Sequence, residues 1–300
     1  MAKVSCAREA RSLGEPLFAT ASTVRRWILV EQPGPWGRDA LRKSRLPEGV
    51  GASLAALGAR LRARVLLLRR PGAELAASRT VLVGDCAPPD PWMVRFEVDD
   101  PAEVLHLDLD GLAAGRRVDG EPVTDPVYLV CTNGRHDRCC AEFGRPLAAA
   151  VWALRPDTTW ECSHIGGDRF AGNLVAFPHG CYFGWVGPDQ AAGVVAAYED
   201  GRLDLDHYRG RAPYPFAVQA AEHFLRAHHG IDAIDGVRLL RRERPSDDRT
   251  SAVFAVGDDE VRVEVAVHRD PAGQHLTCAA TEAAHPPRYE LVSLTPSPAR

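Results

Sequence analysis

The sequence predicts an α/β protein, with room for about two domains in its 300 residues. Two observations lead to this fold class. Apolar residues make up 45% of the chain, which is enough for a sizeable core. Segments with strand-like and helix-like patterns also follow one another in the order β-α-β-β-β-α, and this order occurs twice within residues 24–199.

The first occurrence begins with a predicted strand over Val24–Gln32, which a Pro-Gly-Pro sequence ends. A helix is predicted over Gly49–Ala63 because its apolar residues recur on one face. The other predicted elements of this half are strands over Val65–Leu68, Thr80–Val83 and Met93–Val98 and a helix over Pro101–Ala114.

The second occurrence begins with a strand over Val127–Cys131 and continues with a helix within Asp137–Leu154. It ends with strands over Thr158–Cys162, Leu174–Phe177 and Tyr182–Val186 and a helix over Pro188–Glu199. The pattern favours a thioredoxin-like sandwich, a small mixed sheet with helices on its faces. We interpret the repeat as a divergent internal duplication, in which Cys131 corresponds to Glu31. Two unrelated α/β halves are the alternative.

The remaining residues predict a small α+β region. One helical face is lined by Ala217, Ala220, Ala221, Phe224 and Leu225. Strand-like runs follow at Val237–Leu240, Ser251–Val256, Glu260–His268 and His275–Ala280. The predicted organisation is a degenerate thioredoxin-like half at 16–118, a ferredoxin-like half at 119–212, and a helix with a β-hairpin at 213–300.

Composition limits the partners and the compartment. A net charge of -4 and a pI near 6.3 argue against a nucleic-acid-binding protein. No apolar run reaches the roughly 20 residues that span a bilayer, so no membrane association is expected. Met1–Pro16 lacks the apolar segment of a secretory signal. We therefore expect a reducing, cytoplasmic location, where cysteines favour metal or redox chemistry, or buried thiols, over disulfides.

Five of the eight cysteines lie between residues 131 and 181, whereas Cys6, Cys86 and Cys278 are scattered. Two loops carry most candidate ligands, CTNGRHDRCC at 131–140 and CSHIGGDRFAGN at 162–173. Each loop follows a predicted strand, so the loops are expected to meet at one sheet edge and form a metal site. The spacing matches no zinc or ferredoxin template, so buried structural thiols remain an alternative.

The segments CTNGRHDRCCAEFGRPLA and WECSHIGGDRFAGNLVAFPHGCYFGWV resemble the sucrase/ferredoxin-like family. A weaker resemblance extends to VEQPGPWGRDAL and to Tyr214–Leu225. The family pattern is a cysteine, eight residues, a second cysteine, and then an HxGGH loop. The resemblance implies a thioredoxin-like domain with a [2Fe-2S] cluster bound by two cysteines and two histidines.

Carried over to this chain, the resemblance implies that Cys131 and Cys140 bind one iron and His164 the other. Asp168 stands where the family has its second histidine, and Asn133 is a milder departure. Because a carboxylate oxygen is a harder ligand than imidazole, three outcomes stay open. Asp168 binds iron, another residue replaces it, or the cluster is lost. The candidate replacements are Cys162, His179, Cys139 and Cys181.

The function implied is one-electron transfer to an unidentified redox partner, coupled to a proton through a histidine ligand. No catalytic residue is assigned. Arg38, Arg42, Lys43 and Arg45 form either a solvated basic face or a docking patch for an acidic partner. His136 and Asp137 are interpreted as donors to the ligands or as the helix entry.

Three other functions compete with electron transfer. Cys139 or Cys140 could act as a reactive thiol at a helix start, although the chain has no CxxC motif. A cluster-free interaction module is a second alternative. A glycosidase is disfavoured because no pair of carboxylates points to a sugar cleft.

Overall fold

A computed structural model describes residues 5–72 and 78–297. Residues 1–4, part of the segment tested for a secretory signal, lie outside the described residues. The helices are α1 (Cys6–Ser12), α2 (Ala40–Lys43), α3 (Val50–Leu61), α4 (Asp110–Ala113), α5 (Arg138–Leu154), α6 (Ala191–Glu199) and α7 (Phe216–His229). The first strands are β1 (Arg26–Glu31), β2 (Ala63–Arg69), β3 (Arg79–Asp85), β4 (Trp92–Val98), β5 (Glu121–Pro122), β6 (Val127–Cys131) and β7 (Thr159–Cys162). The later strands are β8 (Leu174–Phe177), β9 (Cys181–Phe183), β10 (Tyr208–Arg211), β11 (Arg238–Ser246), β12 (Arg249–Val256), β13 (Asp259–Arg269) and β14 (Pro287–Pro296).

The first ten strands form one mixed sheet in the order β10-β9-β8-β6-β7-β2-β1-β3-β4-β5. Within it, β1 is parallel to β2 and antiparallel to β3, and β6 is likewise parallel to β7 and antiparallel to β8. The two halves join where β2 pairs antiparallel with β7. This large mixed sheet with its helices confirms the α/β, thioredoxin-like fold class. Because the halves share a sheet, the domain boundaries stay predictions.

The register across this junction relates the two halves residue by residue. Glu31 pairs with Leu68, Leu68 pairs with Cys162, and Cys162 pairs with Cys131. Cys131 therefore occupies in the second half the position that Glu31 occupies in the first. The Glu31 carboxylate accepts a hydrogen bond from the Thr80 amide at 3.0 Å. The repeated pairing agrees with the predicted alignment, and a common origin of the halves stays a prediction.

Alternation along the strands divides the core between the two faces of the sheet. On one face, Trp27, Leu29, Leu129 and Trp160 belong to a single apolar cluster that spans both halves. On the other face, β1 packs against α3, and β6 packs against α5 and α6. Cys131 lies on the first face and is buried. The cysteine at the end of β6 therefore faces the core that both halves share.

The C-terminal region is larger than the predicted hairpin. Strands β11 to β14 form a four-stranded antiparallel sheet, and α7 packs against it through a separate apolar cluster. The predicted strand over His275–Ala280 is wrong. The Cys278 amide in that segment donates instead to Asp137 at 2.6 Å, so the segment lies against the start of α5. The last strand is β14, which the sequence pattern did not indicate.

One other prediction needs correction, and one strand was not predicted at all. Pro101–Ala114 is not one helix, because a 3-10 turn over Pro101–His106 precedes the short α4. Strand β10 was missed because its sequence, YRGR, is polar. Its arginines are nevertheless buried, since their guanidinium groups satisfy carbonyl and carboxylate groups inside the fold.

Gly144 allows α5 to lie directly against the end of β6. A Cβ atom there would lie 2.0 Å from the Cys131 carbonyl oxygen. We predict that Gly144→Ala lowers the free energy of unfolding by about 1–3 kcal/mol, because helix and strand must separate. Gly193→Ala in α6 is the control, since its Cβ would have no neighbour within 4 Å. It should be neutral or raise stability by about 0.5–1 kcal/mol. Urea unfolding compares the two, and equal stabilities would contradict this packing.

Candidate metal centre

The site forms where two neighbouring parallel strands end. Strand β6 ends at Cys131 and β7 ends at Cys162, and the two residues pair across the strands. Parallel strands place their carboxyl ends at the same edge, so the loops that follow them meet there. After β6 the chain turns into α5, whose N-cap is Asp137. Its carboxylate accepts from the Cys139 amide at 2.9 Å, which starts the helix and returns Cys140 toward Cys131.

Four of the predicted ligand residues come together at this edge. The ligand atoms of Cys131, Cys140 and His164 lie within 4.8 Å of one another. Asp168 joins them, because its Oδ1 lies 3.2 Å from Cys140 Sγ and 3.0 Å from His164 Nδ1. Asp168 is only 3% exposed, and both thiols are buried. The set combines two thiols, an imidazole and a carboxylate in a small buried volume.

The Gly166-Gly167 pair makes the turn that brings His164 and Asp168 side by side. Both glycines have positive φ, at 97° and 78°. A Cβ atom would also lie 2.3 Å from Ser22 Oγ at Gly166 and 2.2 Å from an Arg209 nitrogen at Gly167. Glycine is therefore required at both positions on conformational and steric grounds.

Side chains from other elements hold the second loop in place. The Asn173 amide donates to the Gly167 carbonyl at 2.8 Å, and Arg209 donates to Asn173 Oδ1 at 2.7 Å. Burial lowers the pKa of Arg209 to about 9, and the guanidinium satisfies its donors on the loop and on Thr20. From the first half, Arg64 donates to the His164 carbonyl at 2.7 Å. The loop is thus fixed from both sides.

His136 is a candidate ligand that the sequence analysis placed only as a neighbour of the site. Its ring stacks on His164, with centroids 3.6 Å apart and an angle of 13° between the planes. Its Nε2 lies 3.8 Å from Asp168 Oδ2, so His136, His164 and Asp168 form a second possible ligand group. In the sequence, its position within the ligand-rich loop CTNGRHDRCC was the feature that could have identified His136 as a possible ligand.

Three of the four central side chains, Cys131, His164 and Asp168, stabilise one another as charged groups, whereas the hydrogen bond to Cys131, and then burial, raise the pKa of Cys140. The pKa of Cys131 lies well below its usual value because the Cys140 thiol and His164 hydrogen-bond to the thiolate. Burial opposes a charge on His164, but Asp168 and Cys131 outweigh it and raise the His164 pKa to about 9. Burial likewise opposes ionisation of Asp168, and His164 outweighs it, so that pKa is lowered. Two negatively charged side chains, Cys131 and Asp168, therefore flank the His164 imidazole.

Two buried polar atoms at the site lack well-formed hydrogen bonds. His164 Nδ1 lies close to the Asp168 carboxylate without a well-directed bond, and Asn133 Nδ2 has no partner among the described residues. Unsatisfied buried polar atoms are uncommon in folded proteins, and a metal bound through His164 Nδ1 would explain one of these two. The Asn133 Nδ2 group can only donate hydrogen bonds and does not bind a cation. The donor set therefore fits a bound metal group.

The four predicted replacement ligands lie outside this group among the described residues. Cys162 is buried beside Cys131 in the sheet, and Cys181 lies in the core under α6. His179 Nδ1 is 2.7 Å from the Tyr198 hydroxyl. Cys139 belongs to a different group, with Cys6, Asp137 and Cys278. Cys6 and Cys278, which are scattered along the sequence, therefore come together in space.

A surface groove of about 560 Å³ opens beside the site. Arg38, Lys43 and Arg64 from the first half line it, together with His136 and His164. The side chains of these two histidines are 28% and 23% exposed, whereas the cysteines are buried. Only the imidazole edge of the site therefore reaches solvent.

The fold and the donor set define an α/β protein with a thiolate- and imidazole-containing candidate metal centre. The sucrase/ferredoxin-like family profile matches residues 17–210, and the chain belongs to that family. It is also similar to the Altered inheritance of mitochondria protein 32 of Meyerozyma guilliermondii, at 30% identity over 102 residues. The aligned part covers 30% of this chain and 36% of that protein, so the chain spans about a third of this relative. No solved structure matches the chain.

Among the described residues, no helix is both long and apolar enough to cross a bilayer. The cytoplasmic location stays a prediction.

His179 gives a prediction for acid stability. Burial, and then the charge of Arg211, lower its pKa to about 4. As the pH falls below about 6.5, the usual pKa of histidine, His179 becomes protonated in the unfolded chain but stays neutral in the folded chain. The free energy of unfolding therefore decreases. We expect a loss of about 2 kcal/mol between pH 7 and pH 5, measured by urea unfolding. His179→Asn should remove this part of the slope. An unchanged slope in the variant would show that His179 is not responsible.

Proposed function

We propose that this protein is an electron carrier with a [2Fe-2S] cluster bound by Cys131, Cys140, His164 and Asp168. The observation that carries the proposal is the convergence of these four side chains from two loops at one sheet edge. Membership of the sucrase/ferredoxin-like family supports the same function.

The chemical types of these side chains are mostly ones that bind iron–sulfur clusters. Thiolates are the usual ligands of iron–sulfur clusters, and imidazoles replace two of them in one known class. When bound, the cluster would supply a centre that accepts and releases one electron. The buried cysteines would exclude water from the sulfur side, and the exposed histidine edge would be the side that faces a partner.

Asp168 is the proposed fourth ligand because it contacts both Cys140 and His164. His136 is the alternative that its position favours, since it stacks on His164 and faces the same carboxylate. If His136 binds iron, Asp168 would instead orient the two imidazoles by hydrogen bonding, as carboxylates beside metal-bound histidines commonly do.

The chain can couple a proton to the electron at His164. If His164 held the cluster through one ring nitrogen, its other ring nitrogen could hold a proton, and added negative charge would favour that protonated form. The neighbouring Asp168 carboxylate stabilises a protonated ring, and the groove gives it access to water. His164 thus provides both a ligand and a site for the proton.

The groove is the proposed docking surface for an acidic redox partner. Its basic residues Arg38 and Lys43 belong to the basic run of the first half, Arg64 adds a third positive charge, and Asp39 contributes one negative charge. Opposite charges steer association and orient the partners. The first half would therefore contribute the docking surface and the second half the redox centre.

A single metal ion is the second candidate occupant. The mutual 4.8 Å limit on the Cys131, Cys140 and His164 ligand atoms would also suit one tetrahedral ion. The thiol-reactive function is less favoured, because Cys139 and Cys140 are buried from any disulfide or peroxide substrate.

Iron and acid-labile sulfide should both be present at about two per chain after anaerobic purification with ample iron. Cys131→Ala and Cys140→Ala should abolish both, because each removes a thiolate ligand. Cys86→Ala is the matched control, since Cys86 is another buried thiol that lies outside the site. Metal without sulfide would indicate a single ion, and a chain without iron or sulfide would overturn the proposal.

Asp168→Ala and His136→Ala distinguish the two candidate fourth ligands. If Asp168 binds iron, its loss should remove or spectroscopically change the cluster, while His136→Ala should retain the wild-type spectrum. Electron paramagnetic resonance of the reduced protein measures this difference. The reverse pattern would assign iron binding to His136, and a change in neither variant would direct attention to Cys162.

The reduction potential should fall as the pH rises, by up to ~59 mV per pH unit where His164 takes up a proton on reduction. His164→Cys should lower the potential, because thiolate adds negative charge, and should flatten its pH dependence. Protein-film voltammetry across pH measures both effects. A wild-type potential that does not change with pH would contradict proton coupling at His164.

A further inference from the structure

A second group of thiols lies beside the first site and is separate from it. Cys6, Cys139 and Cys278 bring their sulfur atoms together with the Asp137 carboxylate. The residues come from α1, the first turn of α5 and the segment before β14, which are remote from one another in the sequence. We propose that these four residues bind a structural Zn²⁺ ion.

The spacing of the sulfur atoms fits one tetrahedral ion. Zinc–sulfur bonds of about 2.3 Å place the sulfurs of a tetrahedral site about 3.8 Å apart. The distance from Cys6 to Cys139 is 3.7 Å, from Cys6 to Cys278 is 3.6 Å, and from Cys139 to Cys278 is 3.3 Å. All three pairs are therefore within about half an ångström of the expected separation. The ligands need only small movements to enclose an ion.

Asp137 is positioned to supply the fourth ligand. Its oxygens lie 3.8 and 3.9 Å from Cys6 Sγ. One oxygen accepts from the Cys139 amide and the other from the Cys278 amide, so the carboxylate is held in place. Each oxygen has a second lone pair for a metal. Arg138, next in the chain, interacts with Cys278 and offsets part of the negative charge of the group.

Zinc accounts for all three thiols, whereas a disulfide would account for two. A disulfide needs a sulfur–sulfur bond of about 2.0 Å and would leave the third cysteine unpaired. Zinc binds three thiolates and a carboxylate without changing its oxidation state. Its binding would displace the protons of the three thiols into solvent. Cys6 and Cys139 are buried and Cys278 is partly covered, as in closed structural sites.

The two sites would share the start of α5. Within this segment, Asp137 and Cys139 belong to the group with Cys6 and Cys278, whereas His136 and Cys140 each belong to one of the two groups that contain His164. An ion in the second group would therefore fix the backbone that presents two of the residues at the first. It would also fasten α1 and the segment around Cys278 to the same helix.

The test measures zinc, iron and sulfide together in the full-length protein, purified anaerobically with both metals supplied. We expect about one zinc per chain in the wild type, with X-ray absorption showing zinc–sulfur distances of about 2.3 Å. Cys6→Ala and Cys278→Ala should lose the zinc. Cys86→Ala, which removes a buried thiol outside both groups, should keep it.

Measurements on the same samples separate this proposal from the electron-transfer proposal. Cys131→Ala should lose iron and sulfide yet retain zinc, and Cys278→Ala should lose zinc yet retain iron, which also shows that the variant folds. The zinc site would be overturned if the wild-type protein contained no zinc and its thiols were otherwise accounted for. Either all eight thiols would titrate, or mass spectrometry would find a disulfide among Cys6, Cys139 and Cys278. That result would leave the iron and sulfide measurement unaffected.

Discussion

The parallel pairing of β6 with β7 is the constraint on which the candidate centre depends. It places the loops after Cys131 and Cys162 at the same edge of the sheet. Other residues then bring the ligand side chains of these loops together. Asp137 starts α5 so that Cys140 points back to Cys131, Gly144 lets that helix approach the strand, and the paired glycines turn His164 toward Asp168. A small number of backbone requirements thus assembles the donor set.

Among its described residues, the first half has no metal-ligand group that corresponds to the centre, yet its residues help to position the second loop. Its β2 continues the sheet beyond β7, and Ser163 exchanges hydrogen bonds with Leu67 at the point where the second loop begins. Arg64 then binds two carbonyls of that loop. The residue at the position of Cys131 is Glu31, whose carboxylate binds a neighbouring backbone amide instead of contributing to a metal site. The repeated topology therefore carries different chemistry in its two halves.

Much of the fold could be predicted because its strands and helices have clear apolar periodicity, and α3, α5 and β6 lie within a residue or two of their expected bounds. The two site loops could be found because their ligand types follow strands. The group around Cys139 could not be found, since Cys6 and Cys278 are 133 and 139 residues away from it in sequence. Nor could β10, because burial of its arginines depends on partners such as Asn173 and Glu222 that only the folded chain provides.

The pairing between β2 and β7 also means that the second half is not expected to be stable as an isolated fragment. A fragment containing only that half would expose the backbone edge of β7 that now pairs with Leu68 and Arg69. Unpaired edges of this kind invite strands from other molecules and lead to aggregation. The apolar face that both halves share, including Trp27 against Phe177, would be uncovered at the same time. The first half thus covers both the backbone edge of β7 and part of the apolar face of the second half.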